Sequence, residues 1–283
     1  MDSPDFSRRS FLAMSAALPR ALGGGAAKSR IPVGLELYSV REGLAHDPEG
    51  TLRAVAQMGY QGVEFYAPYF DWTESQAKQT RRLLDDLGIR CFSTHNHSEH
   101  LTAQNISRVR DLNLSLGSQF VVLANAEPRP GPHGWRAIVE TLDFAADQLE
   151  PSGLRVGYHN HQAEFTLVEG RRPIEFLAKN TKSSVMLQLD VGTCLEAGAD
   201  PAAWIRANRG RIRSIHCKDW SPEPTKGYEV LFGEGVADWQ AIFEAAESLG
   251  GVEHYLIEQE GSQFSELDTA RKCLEAFRIK HPA

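Results

Sequence analysis

From Ile31 onward, eight short apolar runs alternate with eight helix-patterned stretches. This alternation restricts the fold more than any other feature of the chain. The runs cover residues 33–38, 62–66, 90–94, 120–124, 154–159, 185–190, 212–217 and 255–258. The helical stretches between them carry their own start and stop signals. Asp47-Pro48-Glu49 supplies a cap, a proline at the first turn and an early acid, and Gly59 closes that helix. Thr73 and Gln76 form a capping box for a helix that ends at Gly88. Asp200-Pro201 opens another. Strict alternation implies parallel strands joined by helical crossovers. Eight such units fit a single closed (β/α)8 TIM barrel of the usual ~250 residues. A doubly wound open sheet is the runner-up. It would usually carry a glycine-rich turn after the first strand, where this chain has Tyr38-Ser39-Val40-Arg41. No internal linker interrupts the pattern, so residues 31–283 are expected to form one α/β barrel domain.

Residues 1–30 differ in composition. Ser7-Arg8-Arg9-Ser10-Phe11-Leu12 leads into a modest Ala/Leu-rich run and then Gly23-Gly24-Gly25-Ala26-Ala27. A charged start, an apolar middle and small residues before a cut are the parts of an export signal. The arginine pair followed by Phe-Leu resembles a twin-arginine signal, which predicts cleavage near Ala27 and a periplasmic or exported protein. No apolar run reaches the roughly 18 residues of a membrane span, so no stable membrane insertion is expected. The net charge of −7 offers no long-range attraction to a phosphate backbone, which argues against nucleic acid as a partner. Four cysteines lack CxxC spacing, and Cys91 and Cys217 fall in strands, as small buried hydrophobes do.

In such a barrel, the functional residues lie at the C-terminal strand ends. Here those ends carry Glu36, Glu64, His95 with His97, Asn125, His159 with His161, Asp190, His216 with Lys218, and Glu258 with Glu260. A strand has a period of two, so His159 and His161 share a face. Buried acids are costly unless paired or metal-bound, and imidazoles suit a metal or proton transfer. So many acids and imidazoles on one face point to a metal site. Tyr66, Tyr69, Phe70 and Trp72 follow the second strand and offer flat apolar faces at the barrel mouth. The Pro/Gly-rich loop 127–134 reads as either a lid or a rigid connection.

The segments GYHNHQAEF, LQLDVGTCLEAGADP, RIRSIHCKDW, FGEGVADW and YLIEQE together resemble the xylose-isomerase-like superfamily, the sugar phosphate isomerase/epimerase family, from about Ile31 to the end. The resemblance implies one divalent ion, often manganese, held by Glu, Asp, His and Glu at the ends of strands five to eight. Asp190, His216 and Glu258 match the last three. The first position holds His159, and Glu164 five residues on is the alternative ligand. His, Asp and Glu together favour manganese, with zinc, iron and cobalt as the other candidates, over magnesium.

The expected function is that of a metal-dependent isomerase or epimerase acting on a non-phosphorylated carbohydrate by proton transfer. Glu258 or His159 would be the base, with Lys218 neutralising a developing alkoxide. Lys218 has the alternative of a salt bridge to Glu258 or Glu260. Glu64, Tyr66, Trp72, His95, His97, His161 and Glu260 are the expected substrate contacts. A metal-dependent lyase, dehydratase or glycoside-cleaving enzyme acting on a keto-sugar and a non-catalytic exported sugar binder are the rival readings. The sequence is also compatible with a homo-oligomer.

Overall fold

A computed structural model describes residues 31–126 and 132–281. The arginine pair, the cleavage position and most of the 127–134 loop lie outside the described residues. Eight parallel strands close into a barrel in chain order: β1 (Val33–Glu36), β2 (Gly62–Phe65), β3 (Arg90–His97), β4 (Phe120–Asn125), β5 (Arg155–His159), β6 (Met186–Asp190), β7 (Ile212–Cys217) and β8 (His254–Ile257). Leu35 pairs with Val63 on one side and Ile257 on the other, which seals the ring. Among the described residues, the main helices that follow the strands are α1 (Pro48–Met58), α2 (Glu74–Leu87), α3 (Ile106–Leu116), α4 (Pro132–Leu149), α5 (Pro173–Asn180), α6 (Pro201–Ala207), α7 (Trp239–Ala245) and α8 (Glu266–Lys280). Asp47 caps α1 through Gly50 N, and Thr73 and Gln76 close the capping box of α2. Gly59 and Gly88 end those helices in the left-handed conformation. Glycine adopts that conformation without steric cost.

β3 runs three residues beyond the stretch its own sequence suggests. Its extension to His97 follows from pairing with β4, where His95 lies against Val122 and His97 against Asn125 across a bulge. Strand parity sorts the side chains. Val63, Leu123, Val156, Leu187 and Ile215 turn outward into the main core beneath the helices. Phe120, Val122 and Met186 form a separate apolar cluster within the barrel. Phe92 and Met186 find room there because the neighbouring strands carry glycine. A Cβ at Gly62 would lie 2.4 Å from the Phe92 ring, and one at Gly157 would lie 2.6 Å from the Met186 methyl group. This packed layer forms the floor beneath the polar strand ends. All four cysteines are buried and free. Among the described residues no helix is long and apolar enough to cross a membrane.

Candidate metal centre

Above the floor, the strand ends bring Glu36, Glu64, His95, His159, Gln188, Asp190, His216, Lys218 and Glu258 together, all buried. Glu64 is the hinge of the network. Its Oε1 accepts from His95 Nε2 at 2.9 Å and His216 Nε2 at 2.8 Å. Its Oε2 accepts from Gln188 Nε2 at 2.8 Å and from the Ser93 hydroxyl. Burial disfavours the Glu64 charge, but the two imidazoles outweigh it and hold the carboxyl well below the usual range. Burial likewise opposes a charge on His216, yet Glu64 and Glu258 hold it well above the ordinary imidazole value. His216 Nδ1 lies 2.6 Å from Glu258 Oε2.

His159 has a different electrostatic setting. Burial, reinforced by the neighbouring His216, His95 and His161, pushes it well below the usual value, so the imidazole is neutral. Its Nδ1 lies 3.0 Å from Gln188 Oε1 and its Nε2 lies 4.0 Å from Asp190 Oδ2. Asp190 Oδ1 accepts from Thr193 N at 3.0 Å, whereas Oδ2 is buried without a hydrogen-bond partner. Burial raises the Asp190 pKa, partly offset by Lys218. Asn160 aligns this edge: its Oδ1 accepts from Asp190 N at 3.0 Å and its Nδ2 donates to Thr193 Oγ1 at 3.0 Å.

Lys218 Nζ is 3.4 Å from Glu258 Oε1, 3.7 Å from Asp190 Oδ2, and in contact with Glu260. It therefore has both neighbours that a salt-bridging lysine would take. Burial works against its charge, but Glu258, Asp190 and Glu260 hold its ammonium well above the ordinary value. Burial also opposes the Glu258 charge, yet Lys218 and His216 keep it well below the usual range. Tyr228 covers Lys218, with Nζ 4.7 Å from the ring centre. Tyr228 belongs to the long connection after β7, which Asp219 closes by accepting from Gly233 N, Ala237 N and Trp239 Nε1.

His159, Asp190 and Glu258 each offer a ligand atom within 4.8 Å of the others, as do His95, His159 and His216. A neutral imidazole, two ionisable carboxylates and a buried unsatisfied carboxylate oxygen form a donor set that fits a divalent ion. Glu36, Glu64 and His95 form a third group. Glu64 is already fully engaged there, while Glu36 Oε2 is buried and unpartnered.

Several expected site residues take other positions. Glu164 turns away from the cluster: its Oε1 accepts from the Tyr158 hydroxyl at 2.6 Å and its Oε2 from His161 N at 2.9 Å. Tyr158 is an outward residue of β5, and this pairing holds Glu164 on the wall rather than beside His159. Trp72 packs edge-on against Phe65 and lines an outer groove of about 620 Å³ with Leu52 and Leu83. Phe65 follows Glu64, so it faces outward where Glu64 faces inward. Tyr69 is buried, its hydroxyl bonded to Asn96 Oδ1 at 2.6 Å, and Phe70 stacks on His100. Of that aromatic group, Tyr66 stays near the rim, edge-on to Tyr38. His161 packs edge-on against His159 at 5.0 Å, and His97 packs against His100. Gln188 and Ser93 were not anticipated. Strand parity two residues before Asp190 would have identified Gln188.

The chain matches the xylose isomerase-like TIM barrel family over residues 52–279. It belongs to that family. It is 26% identical over 191 residues to the rhizopine catabolism protein MocC of Rhizobium meliloti, covering 60% of this chain and 57% of that protein. It is 25% identical over 142 residues to an inosose dehydratase of Geobacillus thermodenitrificans, covering 44% and 47%. The matches thus span about half the length of these relatives. A crystal structure of a sugar phosphate isomerase/epimerase from Parabacteroides distasonis superposes with a TM-score of 0.76 at 23% identity, covering 91% of this chain and 96% of that one. That likeness reflects the shared fold.

Proposed function

We propose that this protein is a divalent-metal-dependent isomerase or epimerase that moves a proton beside the carbonyl of a non-phosphorylated sugar or sugar derivative. The observation that carries the reading is the convergence of His159, Asp190 and Glu258 on one buried spot where Asp190 Oδ2 has no hydrogen-bond partner. A bound ion there, manganese first, would polarise a carbonyl and its neighbouring hydroxyl and acidify the adjacent C–H. Glu258, kept ionised by Lys218 and His216, is positioned as the base. Lys218 offsets charge developing on the substrate oxygen. Burial pushes the Glu36 carboxyl up to about 8, so its unpartnered Oε2 offers a donor or an acceptor to a substrate hydroxyl. The cationic side chains named at the centre are engaged with carboxylates, which disfavours a phosphorylated substrate.

Dehydration beside a keto group is the second reading. It is favoured by His159, which replaces one of the two carboxylates that would face each other in an epimerase, and by the likeness to an inosose dehydratase. Purified protein of known metal content, screened in deuterated water against ketohexoses, aldoses and an inosose, separates the two. Deuterium gain with rearranged product supports the first reading, and loss of water from the substrate supports the second. Absence of both with a full ion complement would defeat both and leave a non-catalytic binder. We further propose export by the twin-arginine route, on the strength of Arg8-Arg9 and the small residues before Ala27.

A further inference from the structure

We infer that Gln188 fixes His159 in the tautomer that carries its proton on Nδ1, leaving the Nε2 lone pair bare toward Asp190 and Glu258. The inference deepens the metal-site reading and takes its purpose from it. The orientation of the Gln188 amide is over-determined. Its Nε2 donates to Glu64 Oε2 at 2.8 Å and to Ser214 Oγ at 3.1 Å. An ionised carboxylate only accepts, so the amide oxygen must face the other way. There it meets His159 Nδ1 at 3.0 Å and His95 Nε2 at 2.7 Å. Flipping the amide would set its oxygen against a carboxylate and its N–H groups against the His95 Nε2–H that Glu64 Oε1 already accepts at 2.9 Å. A carbonyl oxygen cannot donate, so His159 Nδ1 must.

A neutral imidazole protonated on Nδ1 has its lone pair on Nε2. That atom faces Asp190 Oδ2 at 4.0 Å, too far for a hydrogen bond between them, and Oδ2 has no other hydrogen-bond partner. An imidazole lone pair and a carboxylate oxygen without a hydrogen bond, turned toward one spot with the Lys218 ammonium 3.7 Å from that oxygen, are an arrangement that a divalent ion would complete. Gln188 is therefore a positioning residue. It acts through His159, and its amide can hold the tautomer because Glu64, anchored between two imidazoles, holds the amide. The histidine at the strand-five position makes this arrangement necessary, since a carboxylate there would have no tautomer to set.

The test is ¹⁵N–¹H correlation NMR on histidine-labelled, EDTA-treated protein near pH 7.5, with the His159 signals assigned by their loss in His159→Gln. The expected result is a protonated Nδ1 and an unprotonated Nε2. A proton on Nε2, or on both nitrogens, overturns the inference. Gln188→Met, of similar volume, should release the tautomer and weaken Mn²⁺ binding roughly 10–100-fold, the usual cost of losing an outer partner of a ligating histidine. Unchanged Mn²⁺ affinity with the Nδ1 proton still in place also overturns it. Should Gln188→Met fail to fold, the wild-type tautomer decides alone. Wild-type protein that shows the Nδ1 tautomer but takes up no Mn²⁺, Zn²⁺, Fe²⁺ or Co²⁺ upholds the inference and removes the metal reading instead.

Discussion

Asp190→Asn separates a structural carboxylate from one held in readiness for a cation. The amide oxygen of this variant can take the place of Oδ1, which accepts from Thr193 N at 3.0 Å, so the cap on the following helical turn survives. The other position changes from a buried oxygen with no hydrogen-bond partner to an N–H₂ group facing His159 Nε2, 4.0 Å from Oδ2. An unsatisfied buried polar group costs about 1–3 kcal/mol, and the substitution offers relief from that cost. Lys218 loses one anionic neighbour but keeps Glu258 and Glu260. In EDTA the variant is therefore expected to melt at or above the wild-type temperature. With Mn²⁺ at a hundredfold excess over its Kd, wild type gains about 2.7 kcal/mol. At roughly 2–4 °C per kcal/mol for a domain of this size, that is a rise of about 5–11 °C, absent from the variant. Thermal scans of both proteins with and without Mn²⁺ should thus reverse their order. A variant several degrees less stable in EDTA would mean that Asp190 is structurally satisfied. Equal Mn²⁺ shifts in both would place the ion elsewhere.

Three further outcomes are expected. Replacing Arg8 and Arg9 by lysine should leave the protein in the cytoplasm, and unchanged periplasmic recovery on cell fractionation would end the export proposal. Burial pushes the His254 imidazole down to about 4, so the unfolded chain takes up this proton first and stability is lost as pH falls from about 6.5 to about 4. The loss is about 3 kcal/mol; His254→Leu should flatten the acid limb of a urea-midpoint profile by that amount, and an unchanged limb would refute the assignment. Gly62→Ala puts a Cβ against the Phe92 ring and should destabilise by about 1–3 kcal/mol, with rescue by Phe92→Leu in calorimetry. Additive losses would count against the contact.

The parts of the fold that local physics governs were legible in the sequence. The caps at Asp47 and Thr73 and the glycine stops at Gly59 and Gly88 are decided within a few residues. The rule that a barrel's functional residues lie at the C-terminal strand ends was enough to single out Glu64, His95, His159, Asp190, His216 and Glu258. Long-range partners govern what was not legible. The length of β3 depends on pairing with β4, and the outward turn of Trp72 depends on Phe65 and the groove beneath α1 and α2. Glu164 resembles a ligand by spacing alone, and only the Tyr158 hydroxyl reveals that it is already engaged. Strand parity places Gln188 on the inner face, but it neither titrates nor marks a metal site by type, so its role emerges from the hydrogen bonds of Glu64 and His159 counted together.

The asymmetry between Glu258 and His159 leads to a last prediction, about the reaction itself. An epimerase that works from both faces needs a proton acceptor on one side and a proton donor on the other. Glu258 is kept deprotonated by Lys218 and His216, so it is free to accept, although the same neighbours weaken it as a base. His159 is neutral and held there by burial and by neighbouring imidazoles, so it is a poor donor at neutral pH. Glu258→Gln keeps an oxygen that can still hold an ion, yet an amide is no base, so turnover should fall by about 10²–10⁴-fold while some ion is retained. His159→Gln tests the other face. In a two-sided epimerase it should stop net turnover but leave one-sided exchange of the substrate hydrogen with deuterated water. In an elimination served by Glu258 alone, turnover and exchange should change together. The ratio of exchange to turnover in His159→Gln therefore chooses between the two chemistries. Wild-type activity in Glu258→Gln would remove that carboxylate as the base under either one.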